Sequence, residues 1–364
     1  MLRLRYVKLV WVVVCCTAVC VVHKLSVHIA GKDINHITRI QNRNLIGVTR
    51  RTKQRTMLII LTYMRSGSSF TGAVVQRHPD VFYVFEPLHE VERLNNLAGG
   101  KNDHLQRQLS TLESILLCNT SLTEASTLGQ YHMKSSPDTA PFHYCFHHQE
   151  YKQRVASCAM LLENTCKKSS VAAAKVIRIG MKNVTYLMNK YNKMKVLHLI
   201  RDPRAVLLSQ LNVGQFKVSD LGASSNRLCR RVKQDVDDSR EMNRRFPGRV
   251  KTIRYEDLAE RPLTMAKQLF DFIDLDLTDE IKGYIYNITH ATHDDCGSLC
   301  IRKNSKERIS KWRLSLTFAQ VSLIEKKCQR LFDVMGYLPA VSDVNLRNLS
   351  RQLYNHMSGP SHIY

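Results

Sequence analysis

Met57-Leu58-Ile59-Ile60-Leu61-Thr62-Tyr63-Met64-Arg65-Ser66-Gly67-Ser68-Ser69-Phe70 is the stretch that decides the fold. Its first five residues are a continuous apolar run bounded by polar residues, the pattern of a strand buried on both faces. Ser68 to Arg77 then reads as a helix that stops before Pro79. Strand, tight loop and helix N-terminus together form a cradle for an anion. The free backbone N–H groups and the positive end of the helix dipole face it.

Compared with the nucleotide-hydrolase loop G-x-x-x-x-G-K-[ST], Gly67 and Ser69 match, but the lysine position holds Ser68. That lysine normally reaches β- and γ-phosphates, so a donor without a γ-phosphate does not need it. Arg65 supplies a planar fork for a terminal anionic group instead.

Further strands are expected at Val81–Phe85, ended by Pro87, at Lys195–Ile200 and at Val250–Arg254. Helices are expected after Pro203, from Leu263 to Ile273, and from about Thr317 to Met335, where Gly336 stops the last. Strands alternating with helices predict an α/β fold with a parallel sheet flanked by helices. Residues 90–170, polar and rich in His and Cys, read as a helical insertion held by disulfides. Arg201 lies at the carboxyl end of its strand, where open α/β sheets bind ligands, and Pro203 suits a first helical turn.

The chain has 364 residues, 44% of them hydrophobic and 23% charged, so it can bury a core and is not wholly disordered. Its net charge of +23 calls for an anionic partner. Residues 6–24 are apolar except for Lys8 and the flanking His23 and Lys24, with Arg3 and Arg5 ahead of them. No small-x-small cleavage site follows, so they are expected to be an uncleaved signal anchor and transmembrane helix. Residues 1–5 become a cytoplasmic tail, 25–55 a basic stem, 56–340 a lumenal catalytic domain and 341–364 a C-terminal tail. Cys15, Cys16 and Cys20 fall in the anchor and leave eight cysteines, an even number that suggests disulfides. Asn119, Asn183, Asn287 and Asn348 head glycosylation sequons.

In their order and spacing, the two anion motifs resemble those of the Golgi carbohydrate sulfotransferases. The branch that sulfates the 6-hydroxyl of galactose, N-acetylgalactosamine or N-acetylglucosamine is the most similar. Arg65 to Phe70 is similar to its 5′-phosphosulfate loop, and Arg201 to Ser209 to its 3′-phosphate segment. Phe82 to Leu88, Arg254 to Leu258, Arg302 to Ser305 and Lys311 to Arg313 also look familial.

The resemblance implies a P-loop-like sulfotransferase fold and 3′-phosphoadenosine 5′-phosphosulfate (PAPS) as co-substrate. Donor binding is then expected at Arg65, Ser66, Gly67, Ser68, Ser69, Phe70, Thr71, Arg201, Asp202, Pro203, Arg204, Ser209, Arg302, Ser305 and Trp312. The acceptor hydroxyl needs a general base; Glu86, in the Phe82–Leu88 block, is the candidate, with His89 behind it. The implied partners are an anionic or neutral glycan (chondroitin, keratan or N-acetylglucosamine-terminated chains) and the Golgi membrane, with a homodimer among the states allowed.

Other readings compete. His290, His293, Cys296 and Cys300, and separately His143, Cys145, His147 and His148, carry zinc-ligand chemistry. In an oxidising lumen Cys296–Cys300 is more simply a disulfide, so no metal is expected. Glu256 and Asp257 read as caps of the helix beginning near Pro262. A nucleic-acid binder lacks interleaved aromatics here. A P-loop kinase lacks its lysine, and a non-catalytic lumenal glycan-binding protein has no use for a phosphate loop.

Overall fold

The computed structural model describes residues 55–355 except 101–102, 121–122, 149–150 and 291–304. The expected anchor at 6–24, almost all of the stem, Arg302 and the Cys296–Cys300 pair lie outside these residues. Among the described residues, no helix is long and apolar enough to cross a membrane.

Five strands form one all-parallel sheet: β1 (Thr56–Leu61), β2 (Val81–Phe85), β3 (Val171–Val176), β4 (Met194–Ile200) and β5 (Val250–Arg254). Their spatial order is β2-β3-β1-β4-β5. From β1 the chain leaves toward β2, and from β4 toward β5, so the two connections depart in opposite directions. That switch point opens a crevice at the carboxyl ends of the strands.

Alternation along β1 divides the core. Leu58 and Ile60 enter one apolar cluster, which includes Phe70 and Val74 of α1 (Ser68–Gln76). Met57, Ile59 and Leu61 enter the other, with Leu112 and Ile115 from the helix His104–Leu116. Helices therefore cover both faces, as a parallel sheet requires.

The expected strands at 81–85, 195–200 and 250–254 form, but β3 has no counterpart in the sequence reading. Its Val171-Ala172-Ala173-Ala174 start favours helix by propensity. Here that preference yields to burial: Ala173 and Ala174 sit beside Leu58 and Ile59 of β1 and are fully buried. The 25-residue helix α2 (Leu221–Arg245) was likewise not foreseen. It packs against α3 (Phe318–Met335), and Cys229–Cys328 ties the two together. The Thr317 hydroxyl caps α3, and Gly336, with φ 68°, ends it.

The insertion before β3 is helical, as expected. Cys118–Cys166 and Cys145–Cys158 staple it. A disulfide of this kind is typically worth about 2–4 kcal/mol. Its cysteine in the second pair makes Cys145 unavailable as a zinc thiolate.

The expected C-terminal tail is corrected by residues 341–355, which fold back onto the domain. Tyr354 bridges Tyr337 in antiparallel fashion. Arg313 donates to the carbonyls of Leu346, Asn345, Asn348 and Arg351. Arg254 donates to those of Met335 and Asn355. Buried guanidiniums thus satisfy carbonyls that would otherwise be stranded.

Arg204 is a third such buried cation and has no solvent exposure. It forks onto Asp202 at 2.9 and 2.7 Å and reaches Glu325 at 2.7 Å. The Trp312 and Phe332 rings flank it at 4.1 and 4.7 Å. Replacing Arg204 with alanine leaves two buried carboxylates uncompensated. A loss of about 3–5 kcal/mol in unfolding free energy is expected by chemical denaturation. An unchanged midpoint would overturn this structural role.

Candidate anion-binding active site

The carboxyl ends of all five strands contribute to one cavity of about 570 Å³. From β1 comes the loop Arg65–Gly67, in which Arg65 has φ 68° and Gly67 φ 85°. These turns lead directly into the first N–H groups of α1, which have no carbonyl upstream within the helix. Glycine at 67 is required twice over. Its backbone is left-handed, and a Cβ there would lie 2.2 Å from the Tyr255 ring.

Tyr255, just beyond β5, is a floor shared by two motifs. The Arg201 guanidinium lies 4.3 Å from the centre of its ring. Arg201 also donates to the carbonyls of Arg65 and Arg308, at 3.2 and 2.7 Å. Its Nε is buried without a hydrogen-bond partner, as is Ser66 Oγ in the loop. Arg65 Nε donates to Ser209 Oγ at 2.9 Å, and Gln210 binds the Met64 carbonyl. The loop after β1 and the segment after β4 are therefore one structure.

Across the cavity stands Glu86, at the end of β2, with φ 47°. Lys175 Nζ donates to its Oε1 at 2.5 Å, and Arg178 Nη1 donates to Oε2. Lys175 is only 2% exposed and sits 3.9 Å over the Phe85 ring. Burial pushes its ammonium down to about 7, and the Glu86 carboxylate opposes that push. His89 donates its N–H to the Glu86 carbonyl, and its ring meets His132 edge-on at 4.6 Å. Burial, with His89 and Lys175 adding to it, lowers His132 to about 4, so its imidazole is neutral at physiological pH.

Of the residues expected to bind a donor, Arg65, Gly67, Ser68, Ser69, Phe70, Arg201, Ser209, Ser305 and Trp312 line this cavity, as do Glu86 and His89. Five others do not line it, the first being Ser66, which is buried with its hydroxyl unpartnered. Thr71 is buried, with its hydroxyl toward the Gly67 carbonyl. Asp202 caps the helix Pro203–Asn212, Pro203 fills that helix's first turn, and Arg204 is locked in its carboxylate cluster. Thr71, Asp202, Pro203 and Arg204 brace the motif from behind. Glu256 and Asp257 are also corrected. They lie in a short helix, Tyr255–Glu260, where Glu256 accepts from the Asp202 N–H and Asp257 pairs with Arg254.

Lys175, Arg178, Tyr255, Arg308, Lys311 and His132 also line the cavity and were missed. A lysine inside the apolar run Ala172–Val176 was the available signal, since lysine is almost never fully buried without a purpose or a partner. Among the described lining residues, Glu86 is the lone carboxylate against Arg65, Lys175, Arg178, Arg201, Arg308 and Lys311. Such a cavity suits a ligand with several negative charges.

The sequence profile of the sulfotransferase family matches residues 58–279. The chain is 28% identical to mouse carbohydrate sulfotransferase 5 over 338 residues, covering 82% of this chain and 85% of that one. It is 28% identical to human carbohydrate sulfotransferase 6 over 337 residues, with the same coverage. Among solved structures, the sulfotransferase domain of the curacin biosynthetic pathway superposes with a TM-score of 0.42 at 16% identity. That match covers 76% of this chain and 97% of that domain.

Lys175 gives the site a pH signature. Its ammonium falls from 10.5 toward about 7 on folding, so between those values the unfolded chain binds more protons. Stability should therefore rise with pH across that window, by up to about 1.4 kcal/mol per pH unit. Denaturation of wild type and Lys175→Met from pH 7 to 10 should show the slope in the first only. Parallel curves would refute it.

Proposed function

This chain belongs to the sulfotransferase family, and from that premise we propose that it transfers a sulfuryl group from PAPS to the 6-hydroxyl of a sugar. The accepting sugar is galactose, N-acetylgalactosamine or N-acetylglucosamine in a glycan or proteoglycan chain. The observation that carries the reading is the meeting of the Arg65–Phe70 loop, Arg201 and Glu86 in one cavity. The names of the related carbohydrate sulfotransferases support the acceptor class. The apolar segment at 6–24 and the three disulfides among the described residues support a single-pass protein with its catalytic part in the Golgi lumen.

The residues fit the donor. The buried Nε of Arg201, on the cavity wall, is a polar donor awaiting an acceptor. Gly67 lets the Tyr255 ring close against the loop where any side chain would clash, which holds the loop's N–H groups in place. Arg65 and the first N–H groups of α1 would hold the 5′ side, and Arg201 and Ser209 the 3′-phosphate. When bound, PAPS supplies a sulfuryl group whose bond to the phosphate oxygen breaks as the sugar oxygen bonds the sulfur.

The chain's own work is to position and to balance charge. Arg65 would neutralise the 5′ phosphosulfate end of the donor, and Arg201 the 3′-phosphate. Lys175, fixed on β3 under the Phe85 ring, brings a cation to the opposite wall without using the loop. Glu86 takes the proton from the sugar hydroxyl, and its left-handed backbone holds the carboxylate toward the cavity. No divalent ion is required, because the donor has no γ-phosphate for one to bridge.

Radiolabelled-sulfate transfer over desulfated chondroitin, keratan and N-acetylglucosamine-terminated acceptors tests the activity. Complete loss in a chelator, restored by Mg²⁺ or Zn²⁺, would count against it. Arg201→Ala should weaken binding of adenosine 3′,5′-bisphosphate by about 1.5–3 kcal/mol, the worth of a charged hydrogen bond. Glu86→Gln should lower turnover by about 10²–10⁴ with donor affinity nearly unchanged. Near-normal turnover in a folded variant would move the base to His89.

A further inference from the structure

Resting on that reading, the contacts of Glu86 raise a question of their own. A carboxylate paired with two cations is a poor proton acceptor, because each nearby positive charge stabilises its ionised form. Both oxygens of Glu86 are so engaged, Oε1 by Lys175 and Oε2 by Arg178. One of these cations must withdraw before the carboxylate reaches its full basicity.

The two are not equally able to move. Lys175 is 2% exposed and held on β3 against the Phe85 ring. Arg178 lies beyond the end of β3, 24% exposed and facing the cavity. The Gln108 side chain and Arg231 grip backbone carbonyls of its segment, at Arg178 itself and at Ile177 and Ile179. The backbone is thus anchored, while the guanidinium, though paired with Glu86, has more room to turn than the Lys175 ammonium. Arg231, exposed on α2, lies beside this segment, so a second cation remains nearby when Arg178 changes partner.

We propose that Arg178 reads an anionic group, a carboxylate or a sulfate ester, on the sugar next to the accepting one, and on binding it releases Glu86 to act as the base. The guanidinium exchanges one oxyanion for another, so no cation is left unpaired. A neutral neighbour offers no exchange and leaves Glu86 clamped. Arg178 is a specificity-determining residue whose effect on the proton transfer passes through Glu86.

The test uses the full chain with three oligosaccharides that share one accepting sugar and differ only in its neighbour: glucuronate, glucose or 6-sulfated glucose. Wild type should show kcat/KM at least about tenfold higher on an anionic neighbour than on glucose, the scale of a charged hydrogen bond. A preference for only one of the two anions supports the proposal and names the anion. Arg178→Gln should bring the ratios to within about threefold, and Arg178→Lys should restore part of the preference. With the glucose acceptor, removing the cation raises the proton affinity of Glu86. The acid limb of kcat/KM should then move upward by about 1–3 pH units in Arg178→Gln. Calorimetric binding of the three oligosaccharides, without donor, should rank as the rates do. A wild-type ratio near one, or an equal loss on all three acceptors with no shift of the acid limb, overturns the proposal. If wild type sulfates none of them, the sulfotransfer reading falls, and the calorimetric ranking alone decides whether Arg178 reads the anion.

Discussion

The closest constraint in the site is the contact between Gly67 and the Tyr255 ring. A single added carbon at 67 would stand 2.2 Å from that ring. The ring comes from the end of β5, two strands away from β1. The same ring carries the Arg201 guanidinium, and Arg201 holds the carbonyl of Arg65. One aromatic side chain therefore fixes the separation of the two anion motifs. The loop needs both positive-φ residues to pass under it, which is why the anion cradle is rigid before any ligand arrives.

Behind that contact the protein uses buried charge as framework. Arg204, Arg254 and Arg313 are each almost fully enclosed, and each ends on carboxylates or backbone carbonyls. A guanidinium has five donors in a fixed plane, so one residue can satisfy several chain ends at once. Arg204 links Asp202, at the start of the helix after β4, to Glu325 of α3 and to the carbonyls of Leu338 and Leu353. The segment around Arg201 is held from the rear by the C-terminal residues. Charge buried in this way contributes more to a unique arrangement than to net stability, since desolvation opposes most of the attraction.

Much of this was legible in the sequence. The run Met57–Leu61 followed by Arg65–Phe70 carries both the strand and the loop, because burial on two faces and left-handed turns leave distinct residue patterns. The helix stop at Gly336 was equally plain. β3 was not, since three successive alanines speak for helix and only tertiary burial makes them a strand. Missing β3 hid Lys175 and Arg178. Arg204 failed for a different reason: adjacency to Arg201 says nothing about which guanidinium turns toward the cavity. In the helix that starts at Pro203, Arg204 faces α3 and Trp312. The fold of residues 341–355 depends on Arg254 and Arg313, whose carbonyl partners lie far along the chain and leave no local pattern.

The absent loop lysine looks different once β3 is in place. In the register of the sheet, Lys175 pairs with Ile60 of β1 and with Phe85 of β2. Its side chain enters the cavity at the level where Glu86 begins. A lysine in the loop would add its charge on the donor side, next to Arg65. Placed on β3, the cation instead lies against the proposed base, in a site dry enough to bring its ammonium close to neutrality. Cation and carboxylate there regulate each other's proton affinity, so neither can be assigned its role alone. On the proposed reading, the loop holds the donor by backbone N–H groups and a planar guanidinium, and the acceptor hydroxyl meets its base on the opposite wall. If the proposal holds, separating the two across the sheet would let acceptor selectivity change through Arg178 while the loop under Tyr255 stays fixed.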